Sequence, residues 1–139
     1  MIDGYRFHLR FPVKWGEMDA LGHVNNTSYF RFLEEARVAY CDRIGLRPDL
    51  RAAIGPLLVT CKCDFFRPIV WPCELVTATR VTRVGNTSFT CQTAIATADD
   101  LAHPCAVGES VLVTVRYGSN EKIRVPDDVR ARIEQLDSA

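Results

Sequence analysis

"WGEMDALGHVNN", residues 15–26, stands between a run of alternating apolar residues and a run of helical period. It holds Glu17, Asp19, His23, Asn25 and Asn26, with Gly16 and Gly22 among them. A turn from strand to helix needs only two or three such residues, to reverse the chain and cap the helix. The surplus points to chemistry, and the change of period across it decides the fold: a strand before, a long helix after.

Upstream, "YRFHLRFPVKW" at 5–15 alternates, with Tyr5, Phe7, Leu9, Phe11 and Val13 on one face of a strand. Pro12 lacks an amide proton, which places that strand at a sheet edge or kinks it. Downstream, Tyr29, Phe32, Leu33, Ala36 and Tyr40 recur at helical spacing, and Arg31, Glu34, Glu35 and Arg37 fall on the solvated side. Asn25 or Asn26 caps this helix, because a short side-chain oxygen accepts from the free amides of the first turn. Gly45 ends it by adopting a left-handed conformation.

The remainder reads as strands over 57–67, 74–84, 87–97 and 105–117. Leu57, Val59, Cys61, Cys63 and Phe65 share one face of the first of these. Gly85-Asn86 signals a hairpin, and Asp99-Asp100 makes the next turn. Val107, Val111, Val113 and Val115 stay in register in the last strand, where Gly108 is expected to mark a bulge. Pro126 and two aspartates open a short amphipathic tail helix. The order is strand, helix, then four strands in antiparallel succession, an α+β domain of two layers. Were the sheet to wrap the helix, Tyr29, Phe30, Ala36 and Ala39 would allow cover on both sides.

Composition bounds the function. A chain of 139 residues is one domain by size, 1–139, with room for a core. Seventeen basic and seventeen acidic residues cancel, so no global field favours nucleic acid or an anionic membrane. No apolar run is long enough to span a bilayer, and "MIDGYRFHLRF" is not a secretion signal, so a cytoplasmic location is expected. The six cysteines mostly sit in apolar segments without a C-x-x-C pair, as small buried hydrophobes do. His8, His23 and His103 are too scattered for zinc. There is no Gly-x-Ser-x-Gly elbow, phosphate loop or dinucleotide fingerprint.

Two stretches, "VKWGEMDALGHVNNTSYFRFLEEAR" at 13–37 and "FFRPIVWPCELVTATRVTRVGNTSFTCQ" at 65–92, carry a family likeness. The sequence resembles the hotdog-fold thioesterases of the 4-hydroxybenzoyl-CoA thioesterase type, through Asp-x-x-Gly before a helix, an Arg-Pro strand end and the hairpin after it. It departs at Cys73-Glu74, where a Gly-Asp pair is common. The resemblance implies an antiparallel sheet curled round one long central helix. It also implies a homodimer, often a homotetramer, with active sites between subunits and neither cofactor nor metal.

The same resemblance implies hydrolysis of acyl-CoA to acid and free coenzyme, with Asp19 as nucleophile or general base. Without it, an Asx turn or a helix-proximal acid is the better reading of Asp19, as of most Asp-x-x-Gly runs. Gly22 allows a sharp turn. The helix-start amides near Asn25 and Asn26, with Asn26 N–H foremost by matching position, would polarise the thioester oxygen. His23 orients Asp19, carries a proton to the leaving thiolate or bonds a carbonyl. A similar Asn-x-His-Val-Asn-Asn run in plant acyl-carrier-protein thioesterases gives it a catalytic part there. Glu17 is expected on the solvated side of the turn. Tyr29 and Phe65 are candidates for the acyl pocket, and Arg67 and Arg83 for the coenzyme phosphates. The alternatives are an acyl-carrier-protein thioesterase, which wants a basic patch near the groove, and a non-catalytic acyl-thioester binder.

Overall fold

The computed structural model describes residues 1–47, 49 and 51–138. Strand β1 (Phe7–Pro12) leads through a 3-10 turn (Trp15–Glu17) into helix α1 (Asn26–Arg43). Four long strands follow: β2 (Ile54–Phe65), β3 (Glu74–Val84), β4 (Ser88–Thr97) and β5 (Ala106–Arg116). The two-residue β6 (Glu121–Lys122) and helix α2 (Asp127–Ser138) complete the order.

Local chemistry sets both ends of α1. The Asn25 side chain accepts the Thr27 N–H at 2.9 Å and caps the first turn. At the far end Gly45 takes a φ of 88°. Its N–H donates to Asp42 O while Leu46 N–H reaches back to Cys41 O, the paired bonds of a left-handed helix stop.

The sheet is antiparallel, in the order β1-β3-β4-β5-β2, with β6 added beside β5. Strand succession therefore fails at one point: β2 pairs with β5 and not with β3. The connection 66–73 contains Pro68 and Pro72, which donate no backbone hydrogen bond, and it passes the start of α1 instead of turning tightly. The side of β3 that β2 would occupy is taken by β1. Pro12 sits at the end of that edge strand, as its missing amide proton requires.

Helix α1 packs on one face of the sheet. Gly108 meets Leu33 so closely that an added Cβ would lie 2.5 Å from both Leu33 methyls. Gly108 is thus no bulge: it pairs regularly with Thr93 and Cys63, and the absent side chain makes room for the helix. The register of β3 against β4 shifts between Val81 and Arg83, and that of β2 against β5 shifts at Val59, between Leu58 and Thr60. The shift in β2 inverts the alternation, so Leu58, not Leu57, shares the helix-side face with Cys61, Cys63 and Phe65.

Two further expectations change in the packed helix. Arg37 is buried, 8% exposed, and its Nη1 donates to Ser110 Oγ at 3.3 Å. Position 37 lies one turn from both Leu33 and Cys41, on the ridge that meets β5, so the sheet covers a wider arc than the apolar stripe. Phe30, by contrast, is exposed. Within one chain the sheet covers only one side of α1.

The C-terminal half of α1 is closed by α2. Tyr40, Ile44 and Leu46 pack with Val125, Val129 and Ile133, and Tyr40 OH donates to Asp137 Oδ2 at 2.7 Å. On the opposite face of the sheet, Ile2 packs on Val76, Ala78, Ala94 and Ala96. Among the described residues no helix is long and apolar enough to cross a membrane.

Candidate active site

Residues 18–24 form a miniature hairpin. Met18 and Val24 bridge as antiparallel partners, and Asp19 N–H donates to His23 O at 2.8 Å. Asp19 Oδ1 accepts the Leu21 N–H at 2.9 Å, an Asx turn, and Gly22 takes a φ of 81°, which glycine adopts without steric cost. The next rung below the hairpin is Asn25 N–H to Glu17 O at 2.9 Å, so the loop ends where α1 begins.

The other side of the hairpin leans on the connection 66–73. Val24 N–H donates to Ile69 O at 2.8 Å, and Trp71 N–H to Met18 Sδ at 3.3 Å. The result is a cleft of about 460 Å³ lined by Asp19, Leu21, His23, Val24, Asn26, Tyr29, Phe65, Phe66, Arg67 and Pro68. Sequence candidates Asp19, His23, Asn26, Tyr29, Phe65 and Arg67 are thus gathered in one place. Gly22 and Asn25 shape the turn and the cap beside it.

The amides at the start of α1 can be followed one by one. Asn25 N–H goes to Glu17 O, Thr27 N–H to the Asn25 side chain, and Ser28 N–H to Asn25 O. Asn26 N–H meets no acceptor among the described residues. It is a free donor at the positive end of the helix dipole, and Asn26 lines the same cleft as Asp19. Asp19 Oδ2 is likewise without a hydrogen bond among the described residues.

The cleft wall is apolar. Tyr29 packs edge-on against Phe65 with ring centroids 4.9 Å apart. Burial pushes the Tyr29 phenol up to about 12, with a smaller contribution from neighbouring Cys105, so the ring is neutral. His23 is exposed, and its ring bonds no protein group among the described residues. The hold on the Asp19 carboxylate comes from Leu21 N–H and not from the His23 ring.

The two proposed phosphate ligands part company. Arg67 lines the cleft but is engaged: Nη1 donates to Asp100 Oδ2 at 3.1 Å, and Nη2 to His103 O. The hydrogen bond from His103, reinforced by Arg67, holds the Asp100 carboxyl below its usual range. Arg83 is elsewhere, at the far end of β3, beside Arg130, Glu134 and Asp137 of α2. Within one chain it has no part in the Asp19 cleft.

Sequence reasoning missed Glu17. Its side chain is only 11% exposed and pairs with Arg31 of α1, whose Nε lies 2.6 Å from Glu17 Oε1. The other carboxylate oxygen accepts Lys14 N–H at 2.9 Å. The signal lay in the fourteen-residue separation of Glu17 and Arg31, which only the folded hairpin closes.

An antiparallel sheet packed on one long helix, with a cleft at the helix start, defines a hotdog fold. The chain belongs to the Thioesterase-like superfamily, whose family model matches residues 13–133. It is similar to the PA2801 protein of Pseudomonas aeruginosa, with 38% identity, 93% of this chain and 98% of that one covered, and a TM-score of 0.84. It is also similar to a thioesterase from Thermus thermophilus solved in complex with coenzyme A and zinc. There the identity is 26%, the coverage 99% and 98%, and the TM-score 0.82. An uncharacterised Bacillus subtilis protein, YsmA, is 24% identical over 89% of this chain and 82% of its own. The reaction class is thioester hydrolysis.

Proposed function

We propose that this chain is a cytoplasmic acyl-CoA thioesterase of the 4-hydroxybenzoyl-CoA thioesterase type, with 1–139 as a single hotdog domain and Asp19 as its reacting carboxylate. One observation carries the reading: Asp19 and the unpaired Asn26 N–H line the same cleft. As general base, Asp19 takes a proton from water while the water oxygen bonds to the thioester carbon. The carbonyl electrons move onto oxygen, where Asn26 N–H donates to the oxyanion. The carbonyl then re-forms, the C–S bond breaks and the thiolate leaves, taking a proton from Asp19 or His23. As nucleophile, Asp19 bonds the acyl carbon and expels the thiolate first, and water then cleaves the mixed anhydride. Tyr29 and Phe65 wall the acyl group.

The free edge of β2 supports assembly into a homodimer. It is twelve residues long, with Leu57, Leu58 and Val59 exposed, and no proline follows Pro56. A long apolar edge of this kind invites another strand. Phe30 and Val38 extend the apolar surface onto the uncovered side of α1. Coenzyme A is favoured over an acyl carrier protein by the similar Thermus thermophilus thioesterase solved in complex with coenzyme A, and by the rim of the cleft, where Arg67 is held by Asp100. Among the described residues that rim carries no basic patch for an acidic carrier.

The test is release of free thiol from short, long and aromatic acyl-CoAs, with Asp19→Asn beside wild type. A fall in turnover of about a hundredfold is expected for loss of a general base or nucleophile. Unchanged turnover in the variant removes Asp19 from the mechanism. Retention of acyl-CoA without turnover, in the wild type, would favour the non-catalytic binder. Label found in the Asp19 carboxylate after a single turnover in ¹⁸O-water establishes the nucleophilic route with water attacking the Asp19 carbonyl of the anhydride, since a general base exchanges no oxygen.

A further inference from the structure

We infer that Glu17 and Arg31 act as a clamp that positions Asp19 against the Asn26 amide. This rests on the reading of Asp19 as the reacting group. The hairpin carrying Asp19 has Met18 and Val24 as its closing pair, and Glu17 and Asn25 as the rung beneath. Glu17 is therefore the foot of the loop, and Asn25, across the rung, is the cap of α1. The 66–73 connection holds the hairpin on one side, through Val24 N–H on Ile69 O and Trp71 N–H on Met18 Sδ; towards α1, the Asn25–Glu17 backbone bond alone would leave it free to tilt.

The Glu17 side chain closes that freedom. One carboxylate oxygen accepts Lys14 N–H at 2.9 Å and fixes the 3-10 turn from which the hairpin rises. The other accepts Arg31 Nε at 2.6 Å and also Arg31 Nη2, a two-pronged contact to the second turn of α1. The guanidinium is itself braced, with Nη1 on Glu35 Oε2 at 2.7 Å and its carbon 4.9 Å above the Phe32 ring. The loop is thus tied to the helix at two levels, through Asn25 N–H and through Arg31. Neither Glu17 nor Arg31 lines the cleft, so neither touches the acyl group within this chain. They are positioning residues.

The experiment is steady-state hydrolysis of the preferred acyl-CoA by Arg31→Ala, Arg31→Lys, Glu35→Ala and Asp19→Asn. Displacing a reacting group by about 1 Å can cost about a hundredfold, so Arg31→Ala should lose at least about tenfold in kcat. Its KM should stay within about twofold, because the cleft wall is untouched. Arg31→Lys, which keeps a charged donor for Glu17, should recover most of the loss. Glu35→Ala removes an outer brace of Arg31 while leaving the Glu17 contact, and should turn over like wild type. Arg31→Ala with wild-type kcat overturns the clamp. So does a loss that appears as KM alone, or one that Glu35→Ala matches in both kcat and thermal midpoint. If Asp19→Asn is fully active, the underlying functional reading fails. If Asp19→Asn is dead and Arg31→Ala is not, only the clamp fails.

Discussion

Gly108→Ala tests the close fit of α1 on the sheet more sharply than any truncation. Gly108 has partners on both sides, Thr93 on β4 and Cys63 on β2, so its backbone has little room to retreat. A methyl group there would stand 2.5 Å from Leu33 Cδ1 and Cδ2 and 3.0 Å from Cγ. Carbon atoms prefer about 3.5–4.0 Å, so the helix or the Leu33 rotamer must give by roughly 1 Å. Overpacking of this size costs about 1–3 kcal/mol. Against it, replacing glycine inside a strand recovers about 0.5–1 kcal/mol of chain entropy. The clash wins, with a net loss of about 1–2 kcal/mol, or roughly 3–6 °C in thermal midpoint at this chain length.

The assay is thermal and urea unfolding of wild type, Gly108→Ala, Leu33→Ala and the double variant. Leu33→Ala alone opens a cavity and should cost about 2–5 kcal/mol. In that background the new methyl enters vacant space, so Gly108→Ala should change sign and stabilise. The coupling between the two sites is the decisive quantity. Gly108→Ala as stable as wild type, or equally destabilising with and without Leu33, would refute the packing argument. Leu33 lies one turn beyond Tyr29, so a displaced helix also moves a wall of the cleft, and turnover should fall with stability.

Two other outcomes follow from the edge and from the buried thiols. Val59→Lys places a charge on the exposed edge of β2, and light scattering after gel filtration should then find a monomer where wild type gives a dimer; a dimer that persists refutes the β2 interface. Burial pushes the Cys41 thiol from 9.0 up to about 12, and Tyr40 is raised by burial and by Asp137. Both favour the protonated form in the folded chain, so the Cys41 contribution is lost as pH climbs towards about 12 and the Tyr40 contribution above its ordinary 10.0, both being intact below pH 9.0. The urea midpoint should be level up to that point and decline above it, less steeply in Cys41→Ala; a profile flat through pH 11 contradicts this.

Local signals were legible in the sequence and distant ones were not. Asn25 capping Thr27 N–H, the left-handed stop at Gly45 and the Gly85 turn each depend on neighbours a few residues away. The α+β order followed from them. Which strand borders which did not: β2 has the same composition whether it joins β3 or β5, and only the prolines at 68 and 72 hinted at a long crossing. The shift at Val59 has no marker in the sequence, because a bulge of this kind needs no glycine. Arg37 and Glu17 were misplaced for one reason. A charge is assigned to solvent by default, and only tertiary contacts, Ser110 for one and Arg31 for the other, reverse that.

The polar surplus of residues 15–26 resolves once each donor and acceptor is followed. Glu17 is spent on Lys14 N–H and Arg31, Asp19 Oδ1 on Leu21 N–H, and the Asn25 side chain on both Thr27 N–H and Thr27 Oγ1. A loop that needed only to turn and cap would stop there. Among the groups left without a protein partner in the described residues are Asp19 Oδ2, the His23 ring, Asn26 N–H and the Asn26 side chain, all belonging to residues that line one cleft. His23 and Asn26 are exposed, so water serves these groups until a ligand displaces it. Here the remainder is an acceptor for a proton, a ring that can return one and a donor for a developing negative charge. Those are the three roles that the proposed hydrolysis of a thioester assigns to Asp19, His23 and Asn26.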